Sequence, residues 1–496
     1  MTAPSTRSSI PEAILNEAIA ALDTPRAGDL LAQVELALRQ TPSDFRLWHV
    51  HGLILRQLDR REEAIFSLRK ANNLGPHEPK IAHGLARTLL EAGLPSIEEY
   101  GDALRLSPGN PDVMLGLTSA FVAEGRAGDA VVGLERIVDR SPLWVDGHAM
   151  LSRLRWIGGE RDGFARSFGQ AIERNPGELS LWHEYIRTLS HAEHFDEVLK
   201  IIAKGRAALG DRPLFAANEA IAHAELGHTE QADILFDRLS QLDDSSVAVR
   251  QVRHFLRSGR PQRAVEAIEP WLTRPEAFMF WPYASIAWRM TGDERWDWLE
   301  GDERFVGIYD IADRLPALDD LADTLRRLHT LTGQPLEQSV RGGTQTDGNL
   351  FRHIDPMIVA LRESIRAVVA EHVAGLPAPD PRHPLLRSPR TPIGFSGAWS
   401  VRLQSGGKHS NHVHPMGWIS SALYVALPPD LGEGQAGWLT LGESRAPNFE
   451  IDLPPLRTIE PKPGRLVLFP STMWHGTRPF QAGERLTVAF DVAVPQ

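Results

Sequence analysis

The chain has 496 residues, with 53 Lys and Arg against 64 Asp and Glu, for a formal net charge of −11. One hydrophobic core rarely grows past about 250–300 residues, so at least two domains or a repeat array are required. With 42% apolar and 24% charged residues, a largely disordered chain is excluded. No apolar run approaches the roughly 20 residues of a membrane span, and the acidic balance speaks against nucleic acid or a membrane as partner. Cysteine is absent, so disulfides, thiolate zinc sites, iron–sulfur clusters and cysteine nucleophiles are excluded. Any metal must rest on His, Asp or Glu.

Residues 1–10 read as a disordered N-terminus. The opening MTAPSTRSSIPEA has no apolar signal core, so a cytoplasmic location is expected. From residue 11 prolines mark a period: Pro42, Pro76, Pro108, Pro142 and Pro176 are separated by 34, 32, 34 and 34 residues. Five residues before each stands Ala37, Ala71, Ala103, Ile137 or Ala171; eight before stands Val34, Leu68, Tyr100, Leu134 or Phe168. A small and a larger apolar residue three apart share one helix face, and the proline then stops the helix. In the unit FRLWHVHGLILRQLDRREEAIFSLRKANNLGP, Trp48, Gly52, Leu55, Ala64, Leu68 and Ala71 lie where two paired helices would bury them. This resembles a tetratricopeptide repeat, whose period is about 34. The resemblance is clear over about 11–176 and weaker to about 300, through Trp182, Ala232 with Phe236, and Ala264. It implies an all-α solenoid over 11–300 whose concave face takes a peptide or protein.

Trp281, Trp288, Trp296 and Trp298 follow, and are expected to cap the last repeat helix. Residues 301–334 read as a connecting segment, with an amphipathic helix over 315–331 that puts Leu318, Leu321, Leu325 and Leu328 on one face. From about 335 the period changes. GQPLEQSVRGGTQTDG has no helical period and reads as a loop or edge strand, and PMIVALRESIRAVVAEHV (356–373) reads as a helix. Short strands are expected at 394–404, 421–428, 436–443, 464–470 and 485–494, separated by Gly, Pro and Asn clusters. Such a run suggests an antiparallel sandwich or barrel.

Three histidines stand out there. His412 and His414, two apart in HSNHVHP, would share one face of a strand. His475 lies 61 residues beyond His414, directly after the strand GRLVLFP. Ten residues further Arg485 opens the final strand, with Thr487 on its face. Mononuclear non-haem iron takes three ligands on one face of an octahedron, and a buried arginine meets a carboxylate by bidentate hydrogen bonds. The plain alternatives are a hydrogen-bonded core histidine for each His, and an acidic partner such as Asp491 for Arg485.

Together, GGKHSNHVHPMGWISSALYVALP (406–428), PKPGRLVLFPSTMWHGTRPF (461–480) and ERLTVAFDV (484–492) resemble the 2-oxoglutarate/Fe(II)-dependent oxygenases, in particular a bacterial branch found behind tetratricopeptide repeats. RGGTQTDGNLF (341–351) fits that branch's lead-in. The resemblance covers about 335–496 and implies a double-stranded β-helix (jelly roll) with flanking helices. It implies Fe(II), 2-oxoglutarate and O2 as cofactor and co-substrates, with ascorbate as an optional reductant. His412 and His475 would be iron ligands, and Arg485 would bind the far carboxylate of 2-oxoglutarate, assisted by Thr487 and Tyr424. His414 stands where most of the superfamily has Asp or Glu, so either a three-His face or a two-His dyad with an added water results. His409, Asn411, Gln345 and Trp474 are weaker candidates for substrate contact. The expected function is a hydroxylase of a peptide or protein captured by the repeats. A small-molecule oxygenase with repeats used for homodimerisation, a cupin-like dioxygenase without 2-oxoglutarate, and a non-enzymatic scaffold are the alternatives.

Overall fold

The computed structural model describes residues 9–239, 241–336, 338–446 and 449–495. The disorder expected for residues 1–10 falls on positions 1–8 outside that range, while a helix, Ser9–Ala21, covers its last two positions. The chain divides into two compact units, one reaching Val132 and including Gly348–Val359, the other comprising Gly133–Asp347 and Ala360–Gln496.

In the first unit, helices Ser9–Ala21, Leu31–Gln40, Phe45–Gln57, Arg61–Leu74, Pro79–Glu91, Ile97–Leu106 and Pro111–Ala123 follow one another through short turns. The phased pairs of the sequence are its core: Val34 with Ala37, Leu68 with Ala71 and Tyr100 with Ala103 are all buried. A Cβ on Gly52 would stand 2.6 Å from Leu68, so the close approach of the two helices needs the glycine. Asp44 and Asn110 cap helices by accepting backbone N–H groups, from Arg46 and from Asp112 and Val113.

The repeats continue in the second unit, with helices Val145–Ile157 and Arg166–Arg174 through Trp281–Thr291. Three of the five repeat prolines also do more than stop a helix. Their carbonyls accept from the ring six residues on: Trp48 to Pro42 (2.8 Å) and Trp182 to Pro176 (3.0 Å), with His148 on Pro142 (3.1 Å). No helix among the described residues is long and apolar enough to cross a membrane.

The same unit holds the β-domain. Its strands are β1 (Gly307–Asp310), β2 (Val340–Gln345), β3 (Phe395–His409), β4 (Ile419–Ala426), β5 (Leu439–Leu441), β6 (Arg445–Ala446), β7 (Phe449–Glu450), β8 (Arg457–Ile459), β9 (Arg465–Pro470), β10 (His475–Thr477) and β11 (Arg485–Val492). A six-stranded antiparallel sheet runs β1-β9-β4-β11-β3-β2, and a smaller one runs β10-β5-β8. Tyr424, Leu439, Leu441, Ile459, Val467, Phe469 and Met473 form a buried core contributed by both sheets. This is the jelly-roll-like arrangement expected. The segment 301–334, read as a connector, supplies the edge strand β1 as well as the helix Leu318–Leu328. Four residues are too few for a period to show; β1 is fixed by pairing with β9 and by Asp310 bonding Arg465 (2.8 Å) and Lys462 (3.0 Å).

The last repeat helix and the β-domain share one core. Trp271, Trp281, Trp288 and Leu299 cluster with Phe449, Ile451 and Trp474. Trp474 donates to the Pro282 carbonyl (3.0 Å), and Arg289 donates to the carbonyls of Gly442 and Pro454. Glu300 is buried in this junction, where one carboxylate oxygen accepts from Ser285 and the other has no partner.

Burial pushes the Glu300 carboxyl up to about 7 from its ordinary 4.5. Between those values the folded chain holds a proton that the unfolded chain has lost. The group's contribution to stability is therefore full below about pH 4.5 and declines as pH rises to about 7. Glu300→Gln should raise the thermal midpoint at about pH 8 and not at about pH 4, which differential scanning calorimetry at the two values checks.

Candidate metal and co-substrate site

Strand β3 ends at His409, and the chain continues extended through His412 and His414 toward β4. These two histidines do not lie on a regular strand, as the sequence had suggested. His412 forms a single bridge to His475, the first residue of β10: each accepts the other's backbone N–H, at 2.9 and 3.0 Å. The His414 N–H donates to the Ser471 carbonyl (3.0 Å), which holds the next turn in register. The common face expected for His412 and His414 is thus produced by pairing with the β9–β10 segment.

The three rings converge. Their candidate ligand atoms all lie within 4.8 Å of one another. Ring centroids are 4.2 Å apart for His412 and His475, 4.9 Å for His412 and His414, and 5.1 Å for His414 and His475. Each Nδ1 is engaged from behind: His412 on the Ser410 carbonyl (2.9 Å), His475 on the Met473 carbonyl (3.0 Å), His414 on both Asp491 oxygens (2.9 Å). Such contacts place the proton on Nδ1 and leave Nε2 as the donor atom. Burial holds His412 and His475 far below the ordinary histidine range, reinforced by the neighbouring imidazoles. They are neutral at physiological pH, which is the form that coordinates a metal.

Arg485 lies at the start of β11, 2% exposed. Its Nη1 donates to the Gly437 carbonyl (2.9 Å), its guanidinium sits 5.0 Å from the Tyr424 ring, and its Nε is buried without a partner. Among the described residues no carboxylate pairs with it. Burial accordingly lowers its affinity for its proton, offset in part by Tyr424. The Tyr424 hydroxyl is buried and unpartnered as well. Thr487, across from Tyr424 on the neighbouring strand, reaches the Val401 carbonyl only at 3.5 Å. A buried cation beside an orphaned hydroxyl fits an anion with two oxygens, and three inward Nε2 atoms fit a divalent first-row metal.

The weaker candidates separate. His409 stays near the cluster: it stacks on His412 with centroids 6.1 Å apart, and burial drives its pKa to about 3. The Ser339 hydroxyl lies between His409 Nδ1 (3.1 Å) and His412 Nε2 (3.2 Å), so a metal on Nε2 would leave His409 as its acceptor. Asn411 is a strut whose amide donates to the Glu443 carbonyl (3.0 Å). Gln345 pairs with Val401 at the end of β2 opposite the one beside His409, which does not bring it to the histidines. Trp474 is 4% exposed and packed on Pro282, Tyr283 and Phe449; it belongs to the repeat junction and presents nothing to a substrate. Asp491 was weighed as the partner of Arg485 and instead orients His414, while also accepting from Ser420 (2.6 Å).

Residues 397–491 match the model of the family described as "Putative 2OG-Fe(II) oxygenase". The β-domain is 2OG-Fe(II) oxygenase-like. The match runs from β3 into β11, so the oxygenase-like domain contributes the three histidines, Tyr424, Arg485 and Thr487 from within it. No curated protein matches the chain. Among solved structures, a tetratricopeptide repeat protein from Parabacteroides merdae is 15% identical, covering 49% of this chain and 98% of its own, with a TM-score of 0.31. A Pseudomonas putida prolyl-4-hydroxylase is 18% identical over 39% of this chain and 94% of its own, with a TM-score of 0.26. YrrB, a TPR protein with an unusual peptide-binding site, is 18% identical over 37% and 95%, with a TM-score of 0.26.

Were the three histidines to hold a metal, the Asp491 carboxylate behind His414 would bear on its affinity. Asp491→Asn would then weaken Fe(II) binding by about 10–100-fold, the usual range for losing such a partner, read by anaerobic competition with a chromogenic chelator.

Proposed function

We propose that the chain is a 2-oxoglutarate- and Fe(II)-dependent dioxygenase that hydroxylates a peptide or protein captured by its repeats. The observation that carries the reading is Arg485, a buried guanidinium that no carboxylate among the described residues pairs with, in the same domain as the three-histidine cluster and acting electrostatically on His409, which stacks on His412. A cupin-like site without 2-oxoglutarate has no use for such a cation, and an inert scaffold has no use for either.

In this reading His412, His414 and His475 hold Fe(II) through Nε2. Bound there, Fe(II) with 2-oxoglutarate and O2 supplies the oxidation of a C–H bond, with succinate and carbon dioxide as co-products. The chain's own part is positioning. Arg485 receives the far carboxylate of 2-oxoglutarate, and Tyr424 and Thr487 offer hydroxyls to the same group. Because Arg485 is buried, a charge-assisted contact to it would be little weakened by solvent. The Nδ1 contacts fix each ring, so the ligand atoms need little reorganisation on binding. No side chain here is required as a general base. His414 serves as the third ligand because its ring is held by Asp491 as the other two are held by carbonyls.

Anaerobic addition of Fe(II) and 2-oxoglutarate should produce the weak visible metal-to-ligand charge-transfer band. His475→Ala should lose stoichiometric iron, read by metal analysis after gel filtration; iron retained at full occupancy would overturn the ligand assignment. Arg485→Ala should keep iron and weaken 2-oxoglutarate binding by at least about tenfold, since a hydrogen bond to a charged group contributes about 1.5–3 kcal/mol. An unchanged affinity in that variant would overturn the co-substrate assignment.

A further inference from the structure

The second unit contains a cavity of about 920 Å3 walled by the end of the repeats on one side and by the oxygenase-like domain on the other. The repeats contribute the segment Leu272–Trp281 with Arg295 and Trp298, and the β-domain contributes Pro415–Trp418, Pro470 and Thr472. Pro415, Met416 and Gly417 directly follow His414, and Thr472 precedes His475 by three residues. The cavity is thus bounded by the two loops that carry the histidines, and the side chain of His414 is itself 21% exposed.

Its lining is one-sided in charge. Arg274, Arg295, Arg382 and Arg387 face it, and none of the described residues that line it is Asp or Glu. That is a local reversal in a chain whose net charge is −11. Three of the arginines are partly neutralised from outside the lining, by Asp243, Glu269 and Asp380. Arg387 makes no ion pair among the described residues; its Nε donates to the Pro384 carbonyl (3.0 Å). Phe278, Trp281, Trp298 and Trp418 supply apolar walls. At the mouth Met416 is 74% exposed, a flexible apolar side chain of the kind that adapts to a partner. The volume is at the upper end of the roughly 300–1,000 Å3 of small-molecule sites, which suits several residues of a chain better than one metabolite.

We infer that this cavity takes an acidic peptide segment, whose carboxylates meet Arg387 and Arg382 and whose apolar side chains lie against the tryptophans while a neighbouring residue is offered to the histidine cluster. The inference rests on the oxygenase reading for what happens next, but binding itself does not require iron. A single-stranded nucleic acid would also offer negative charge and stacking. The chain's net charge of −11 disfavours a polyanion that extends beyond the cavity, whereas a short acidic segment ends inside.

Fluorescence anisotropy on the full chain tests this with three labelled probes: a short peptide alternating glutamate and leucine, its lysine counterpart, and a short oligothymidylate. The acidic peptide should bind saturably and the lysine peptide should not. Arg387→Glu, and separately the more exposed Arg382→Glu, should each weaken the acidic peptide by about tenfold or more. Equal binding of both peptides, unchanged affinity in both variants, or binding of oligothymidylate in place of the acidic peptide would overturn the inference. The charge-transfer band is recorded on the same preparations. Peptide binding without the band sinks the oxygenase reading and spares the cavity; the band without peptide binding does the reverse.

Discussion

Two backbone hydrogen bonds between His412 and His475 hold this site together. They join segments more than sixty residues apart in sequence and fix the ring pair at 4.2 Å between centroids. The approach is close enough to dictate its neighbours. A Cβ on Gly476 would stand 2.9–3.0 Å from Asn411, so the residue after the distal histidine must be glycine for the bridge to close. Asn411 then uses its amide on Glu443 and stiffens the same contact from the far side. His414 follows in register through Ser471. Disturbing either peptide would therefore disperse all three rings, whatever their own side chains could do.

The electrostatics follow from burial acting on a site short of acids. Water exclusion keeps His412, His475 and His409 neutral and leaves Arg485 as an uncompensated cation. Among the described residues no carboxylate offsets that charge, and a buried charge is costly to leave unpaired, so a carboxylate that reached Arg485 would be favoured there. Asp491, the carboxylate hydrogen-bonded to the triad, sits one layer out behind His414. Its negative charge thus meets the cluster through an imidazole and is not spent on Arg485, because both Asp491 oxygens are occupied by His414 and one also by Ser420.

What could be read from the sequence was local. Proline spacing and small–large pairs are written within the repeats, so the helices were visible, and Gly, Pro and Asn clusters marked off the longer strands. The histidines and Arg485 were found because a short spacing and a strand boundary mark them. What stayed hidden depended on contacts across the fold. Strand β1 is defined by β9, not by its own four residues. Trp474 is a candidate for substrate contact by its place before His475, yet its indole N–H donates to the Pro282 carbonyl. The part Asn411 plays, bracing the bridge through Glu443, and the place of Gln345 at the far end of β2 depend on pairing across the fold, and Asp491 could not be assigned between Arg485 and His414 without the register of β11 against β4.

That misreading of Trp474 points to how the two kinds of structure are coupled. A flexible linker would raise the local concentration of a captured partner and leave its orientation free. Here the last repeat helix, Trp281–Thr291, contributes to the same core as Phe449, Ile451 and Trp474, and Arg289 adds two bonds to β-domain carbonyls. Trp474 packs on the helix that ends the repeats and is one peptide bond from His475, a proposed metal ligand. A partner seated against that helix would meet the histidine cluster in a fixed orientation, and orientation is what selects one C–H bond among many. The junction serves this end only if it is stiff. Packing of tryptophan rings, with the Trp474 N–H on the Pro282 carbonyl, gives that stiffness more directly than a surface ion pair could, because the contact is both buried and directional.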